Sequence, residues 1–224
     1  MSEQFTPWTY SEPVELTADA PENQPRRRRS ELFERETKTI CRRAFSETQL
    51  LDLFGFEPFK VGHSYHTLTA GDVDSLSFLK LILRHQELTY CLASTWCMNA
   101  DDVLQFDQWL TDGKIKKLDF YVGEIFPGSY TVEYKMLRDV FDRHQCGRIA
   151  VFRNHAKVYA GYGDRFAFAI ESSANIQTNP RTEQTAIHID KGLYQFYKAY
   201  FDDITTFDKE QREKDKARRR NNGN

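Results

Sequence analysis

The chain has 224 residues, 40% of them hydrophobic, with 17 Phe, 11 Tyr and 3 Trp, enough for one ordinary domain with its own core and no need of disulfide or metal staples. The formal net charge is −2, so no global field selects an anionic partner; positive charge is instead local, in arginines at 26–29 and again at 218–220. Such clusters suit phosphate-rich partners, or are simply solvated tails.

Residues 1–29 mix Pro, Glu, Asp, Thr and Gln without periodicity and end in the first arginine run, a composition expected to form a disordered basic arm. They contain no basic region followed by an apolar run, so no secretory signal is read there. Nowhere does an apolar stretch approach the roughly 20 residues that span a bilayer, so no membrane contact is expected. Cys41, Cys91, Cys97 and Cys146 show no CxxC spacing and read as reduced, buried thiols of a cytoplasmic protein.

The main domain is expected over 30–207, with a charged tail over 208–224 that extends the helix before it. Segment 31–54 carries scattered helical signals up to Gly55, and GHSYH (62–66) reads as a glycine-flanked loop. Its His63 and His66, three apart, are a weak metal pair without nearby partners. Asp74 is placed to cap a helix bearing Leu76, Leu79 and Leu83 on one face. LTYCLASTW (88–96) reads as a strand, followed by a helix capped at Asn99 or Asp101 and stopped by Gly113. KKLDFYVGEI (116–125) is the next strand, completing a β-α-β unit with parallel pairing. A helix over 130–144 is expected to end at Gly147. Then come a strand at 148–154, a hairpin turning at 161–164, a strand at 185–190 and an amphipathic helix over 193–204. The whole predicts an α/β fold, a mixed β-sheet flanked by helices on both faces.

Catalytic residue types concentrate in NHAKVYAGYGDRFAFAIESSANIQTNPRTEQ (154–184). His155 and Lys157 stand two apart, which on a strand places both side chains on one face. Ser172, Ser173, Ala174 and Asn175 form a small-residue turn after an apolar strand, and Glu183 follows. A phosphodiester is an anion whose transition state gathers charge on the phosphoryl oxygens. Fixed donors such as Lys157 and Asn175 would stabilise it, while Ser173 either donates to the phosphate or serves only to allow a tight turn. An imidazole can attack phosphorus and divide the hydrolysis into two displacements, and a carboxylate such as Glu183 is suited to hold its other nitrogen.

His155-Ala156-Lys157, Ser173-Ala174-Asn175 and Glu183, in that order, resemble the HKD signature of the phospholipase D-like superfamily. That group includes phospholipases, bacterial endonucleases, a metal-independent restriction-enzyme nuclease domain and cardiolipin synthases. The resemblance is strongest over 88–204. Two departures stand out: Tyr162 occupies the position of the motif Asp, with Asp164 two residues late, and Ser172 replaces the Gly that commonly precedes the turn Ser.

The resemblance implies a phospholipase D-like fold and a hydrolase that needs no metal or other cofactor. His155 would form the phosphohistidine, with Lys157, Asn175 and Glu183 as the other catalytic residues and Ser173 on the substrate phosphate. One motif copy resembles the single-motif nuclease branch and implies a homodimer pairing two His155 side chains. Nucleic acid is the expected partner, DNA ahead of RNA. A non-catalytic nucleic-acid-binding or assembly protein is the alternative, and a phospholipase a more distant one. The bland readings are a polar surface strand for His155 and Lys157, a turn former for Asn175 and a surface arginine for Arg181.

Overall fold

Alternating apolar residues build the centre of the fold, and their two sets face opposite ways. In the computed structural model, which describes residues 38–54, 59–176 and 181–221, all described elements belong to one unit, Glu31–Asn224. In chain order they are β1 (Lys38–Ser46), α1 (Glu47–Phe54), β2 (His63–Asp72), α2 (Ser75–His85), β3 (Leu88–Thr95), α3 (Ala100–Thr111), β4 (Leu118–Gly123), α4 (Phe126–Ser129), α5 (Thr131–His144), β5 (Ile149–Phe152), β6 (Lys157–Gly163), β7 (Ala167–Ser172), β8 (Thr182–His188), α6 (Lys191–Asp202) and α7 (Lys209–Asn221). The strands form one eight-stranded sheet in the order β1-β2-β8-β7-β6-β3-β4-β5. β3, β4 and β5 are parallel, as are β1 and β2. The strands between them, β8, β7 and β6, run antiparallel to their neighbours.

Period-two alternation supplies a core on each face. Cys91, Ala93, Phe120, Val122, Tyr159, Phe168 and Ile170 join residues of α1, α2, α3 and α5 on one side. Tyr90, Leu92, Tyr121, Val158, Ala160 and Ala169 meet Leu193, Tyr194 and Phe201 of α6 on the other. The expected α/β architecture, a mixed sheet covered on both faces, is the one observed. Among the described residues no helix is long and apolar enough to cross a membrane, and Cys91, Cys97 and Cys146 are buried.

Helix boundaries follow local chemistry. The Asp74 carboxylate accepts the Ser77 N–H at 2.8 Å and caps α2, while the Asp102 carboxylate accepts the Asn99 N–H at 2.8 Å at the start of α3. Gly113, at φ 70°, follows α3. α5 ends differently from expectation. Gln145 takes the left-handed conformation at φ 51° and returns its N–H to Phe141. Gly147 serves close approach instead, since a Cβ there would lie 1.8 Å from the Leu118 carbonyl oxygen.

Asp102 gives the fold a pH dependence. Burial pushes its carboxyl up to about 6, with the charges of Asp74 and Asp101 adding to the shift. A raised carboxyl favours the folded chain when protonated, so this contribution is complete below pH 3.8 and lost as pH rises through about 6. Asp102→Asn keeps an acceptor for Asn99 without the charge. Chemical denaturation should find the variant more stable than wild type at pH 7, on the order of 1–3 kcal/mol, and equal to it near pH 3.5. A gap that does not change with pH would refute this.

Three expectations are corrected. Segment 31–54 is not simply helical: of its described residues, 38–46 are strand and only 47–54 helix. Residues 63–72 are a strand, not a loop, because small and β-branched polar side chains fill the buried positions, as Ser64, Thr67 and Thr69 do. The C-terminal segment does not extend α6. The chain breaks after Asp202, passes along the outer edge of β5 through Val151–Thr206 and Phe207–Val151 hydrogen bonds of 2.9 and 2.7 Å, and starts α7. That helix is held by Lys214–Asp142 and Arg148–Asp215 pairs at 2.7 and 3.0 Å, and by Arg138–Glu210. The basic arm at 1–29 and the Gly55 stop lie outside the described residues, as do the side chains of Cys41 and the arginines at 218–220.

The hairpin of β6 and β7 turns at 163–166, two residues later than expected, after the Tyr162–Ala167 pair. Buried Gln86, the C-cap of α2, grips that turn. Its Nε2 donates to the Phe166 carbonyl at 3.0 Å, and its Oε1 accepts the Arg165 and Phe166 N–H groups, both at 3.1 Å.

Candidate active site

β3, β4 and β5 are parallel, so their carboxyl ends share one edge of the sheet, and the chain crosses that edge before returning as β6. The crossing, 153–156, is pinned by Asn154. Its side chain, 5% exposed, donates from Nδ2 to Ser94 Oγ, the Tyr121 carbonyl and the Thr95 carbonyl at 2.9, 3.2 and 3.4 Å. Asn154 Oδ1 accepts the Ala156 N–H at 3.0 Å, and Ser94 Oγ donates to the Ala156 carbonyl at 3.0 Å. Residues on both sides of His155 are therefore fixed, while His155 itself is exposed.

Lys157, the first residue of β6, is only 8% exposed. Its Nζ lies 2.8 Å from Nδ1 and 3.3 Å from Nε2 of His155. An ammonium only donates, so the ring nitrogen it engages carries the lone pair. No carboxylate among the described residues makes an ion pair with Lys157. Burial lowers its pKa, and the nearby Cys97 and Glu183 act in the opposite sense. A buried cation facing an open edge and bonded only to an imidazole suits an anion.

The other predicted residues come from the next strands. Lys157 pairs with Ser172 across β6 and β7, and Ser172 with Thr185 across β7 and β8. Ser172 Oγ lies 2.7 Å from Thr185 Oγ1 and accepts the Ala174 N–H at 3.1 Å, shaping the turn. Ser173 donates to the Glu183 carboxylate and accepts the Gln184 N–H at 3.0 Å. The half-buried Asn175 accepts the Ser75 N–H at its backbone carbonyl, at 3.3 Å. Its side-chain Oδ1 is buried without a hydrogen-bond partner among the described residues.

His155 and Lys157 thus meet, and so do Ser173 and Glu183. Two expectations about how they meet are corrected. His155 sits in the crossing loop rather than on the strand, because the Asn154 hydrogen bonds end the ladder before it. Glu183 does not hold His155; its carboxylate takes the Ser173 hydroxyl, and Lys157 holds the imidazole. Tyr162, at the position of the motif Asp, packs near Tyr90 and Tyr194 with ring centroids 6.3 and 5.5 Å away. Exposed Asp164 lies in the hairpin turn, and Arg181 is exposed. His63 and His66 stand on opposite faces of β2, with no group of three or more potential metal ligands among the described residues.

Sequence reading missed Asn154, Trp96, Cys97 and Gly123. Trp96 follows β3 directly, and its ring centroid is 5.5 Å from that of His155 at an interplanar angle of 49°. Gly123 makes this possible, because a Cβ there would fall 2.7 Å from Trp96 Cδ1 and 3.1 Å from the Asn154 carbonyl oxygen. The signal available was position: Trp96 ends one predicted strand of the β-α-β unit and Gly123 lies near the end of the other, where α/β folds gather reactive groups.

No protein-family model matches the chain, and no curated protein matches it. Among solved structures it is similar to a polyphosphate kinase from Porphyromonas gingivalis, with a TM-score of 0.47 and 12% identity over 65% of this chain and 27% of that one. It is also similar to a phosphatidylserine synthase from Haemophilus influenzae Rd KW20, with a TM-score of 0.44 and 14% identity over 61% of this chain and 37% of that one. The chain therefore spans well under half the length of either.

Proposed function

We propose that the protein is a metal-independent phosphodiesterase of the phospholipase D-like kind, a nuclease in particular, acting through a phosphohistidine on His155. The observation that carries this reading is the Lys157 ammonium, buried without a carboxylate and 2.8 Å from an exposed imidazole. An entering phosphoryl group would compete for that ammonium. Lysine donation would shift from the ring to a phosphoryl oxygen, leaving the ring lone pair free to attack. Ser173 and Asn175 would complete the donor set, and Glu183 would position Ser173.

In the first step a His155 nitrogen bonds to phosphorus as the bond to the leaving oxygen breaks, and that oxygen takes a proton from a second imidazole. Water then attacks phosphorus and returns a proton to that imidazole, the P–N bond breaks, and a phosphomonoester leaves. The chain carries one motif, so the second imidazole is the partner subunit's His155 in a homodimer joined at this edge. The substrate is nucleic acid, DNA ahead of RNA, with the arginine clusters contributing salt-dependent backbone affinity, and the setting is cytoplasmic. A second reading, a binding or assembly module that performs no chemistry, is favoured by Tyr162, an aromatic where the motif has a carboxylate.

The test is cleavage of plasmid, single-stranded DNA, RNA and a bis-aryl phosphate in excess EDTA by wild type and His155→Ala. Wild-type cleavage should survive EDTA, vanish in the variant and leave an acid-labile, alkali-stable phosphoryl adduct on the trapped enzyme. Activity lost to EDTA but retained by His155→Ala would place the chemistry elsewhere. No cleavage by a folded dimer would favour the binding module.

A further inference from the structure

The residue beside the candidate nucleophile that no motif anticipates is Trp96. Trp109 is an ordinary core tryptophan by comparison, 8% exposed and edge-on to Phe106 with ring centroids 5.4 Å apart. Trp96 packs against the same core with part of its ring but is only half-buried, lies past the end of β3 at the open edge, and its indole N–H has no hydrogen-bond partner among the described residues. Gly123 leaves the space that the indole occupies.

We propose that Trp96 is the platform on which a nucleobase next to the scissile phosphate stacks, and that the site therefore acts on unpaired nucleic acid. This rests on the phosphodiesterase reading of His155 and adds its specificity. A base within a duplex has both faces covered by its neighbours, so only an unstacked base can offer a face to an indole at the reacting phosphorus. Charge at the edge accords with this. Arg153 is exposed in the crossing loop with no ion-pair partner among the described residues, and Lys157 adds a second cation. Glu124, exposed directly after Gly123, and Glu183 oppose them. With two cations set against two carboxylates, backbone attraction alone is weak there, and face contact supplies the discrimination. Stacking of one base on one aromatic ring corresponds to about a 5- to 150-fold effect, and an aromatic platform beside a cation that tracks the backbone is a recurrent single-strand binding design.

The test pairs a protein change with a substrate change. Trp96→Leu should lower kcat/KM on a single-stranded oligonucleotide by about 5- to 150-fold. On a fully abasic strand of the same length, wild type should lose a similar factor and the variant nothing further. Trp96→Phe should recover part of the loss on the intact strand. Binding is read separately in full-length His155→Ala, where oligothymidine should quench indole fluorescence saturably, and adding Trp96→Leu should remove that quenching. Equal losses by the variant on intact and abasic strands, or quenching that survives Trp96→Leu, would overturn the platform. A wild type that cleaves nothing in EDTA would overturn the phosphodiesterase reading instead, and the quenching would still decide whether Trp96 stacks a base.

Discussion

Lys157→Met should stabilise the protein and nearly abolish its activity. The lysine is 8% exposed, makes no ion pair among the described residues, and its one polar side-chain contact there is His155. Burial already lowers its pKa. An unbranched apolar chain of similar length removes the desolvation cost and keeps the packing. A gain of about 1 kcal/mol would raise Tm by roughly 2–4 °C in a domain of this size. The ammonium is also the donor best placed for a phosphoryl oxygen, and loss of one such preorganised donor costs about 10²- to 10³-fold in kcat. Thermal denaturation and EDTA-resistant cleavage should therefore move in opposite directions, as expected of a residue retained for chemistry at the expense of stability. A variant that is less stable and fully active would show that Lys157 is structural.

Asn154→Asp should be more damaging than Asn154→Ala. The amide nitrogen donates to three oxygens, those of Ser94, Thr95 and Tyr121. Alanine removes all three donations and the acceptor of the Ala156 N–H, at a cost of about 2–4 kcal/mol. Aspartate places a buried carboxylate against the Thr95 and Tyr121 carbonyl oxygens with no donor left on the side chain, adding desolvation to repulsion. Both variants free the loop that carries His155, so kcat should fall further than KM changes. Urea denaturation ranking wild type above alanine above aspartate would support the account. Equal stability of the two variants would argue against the hydrogen-bond directions.

The structure also shows which signals the sequence carries openly. Helix α2, the β3-α3-β4 unit, α5, β5, the hairpin, β8 and α6 are legible because apolar periodicity and cap residues such as Asp74 and Asn99 agree. β2 is illegible because Ser64, Thr67 and Thr69 occupy buried positions that a hydrophobicity pattern reads as polar. α7 is hard to foresee as a separate element, because its docking rests on charges supplied by Arg138, Asp142 and Arg148, far away in sequence. In the candidate site, the spacing of His155 and Lys157 brings them near each other, although the strand assumed for both begins only at Lys157. The Ser173–Glu183 bond and the Trp96–His155 contact depend on strand order, which local sequence does not encode. The Gly123–Trp96 fit is a steric relation between neighbouring strands, and it too is invisible along the chain.

The grip of Gln86 on the hairpin turn has a consequence at the opposite end of β6. Strands β6 and β7 could in principle zip together one step out of phase, and every side chain would then exchange faces. Such an offset would put Val158 where the ammonium belongs and turn the ammonium away from His155. By holding Arg165 and Phe166 through three hydrogen bonds, Gln86 acts as a zipper stop that, together with the pairing of β6 on β3, sets the phase of the hairpin, so a residue remote from the candidate active site helps to decide which way its cation faces.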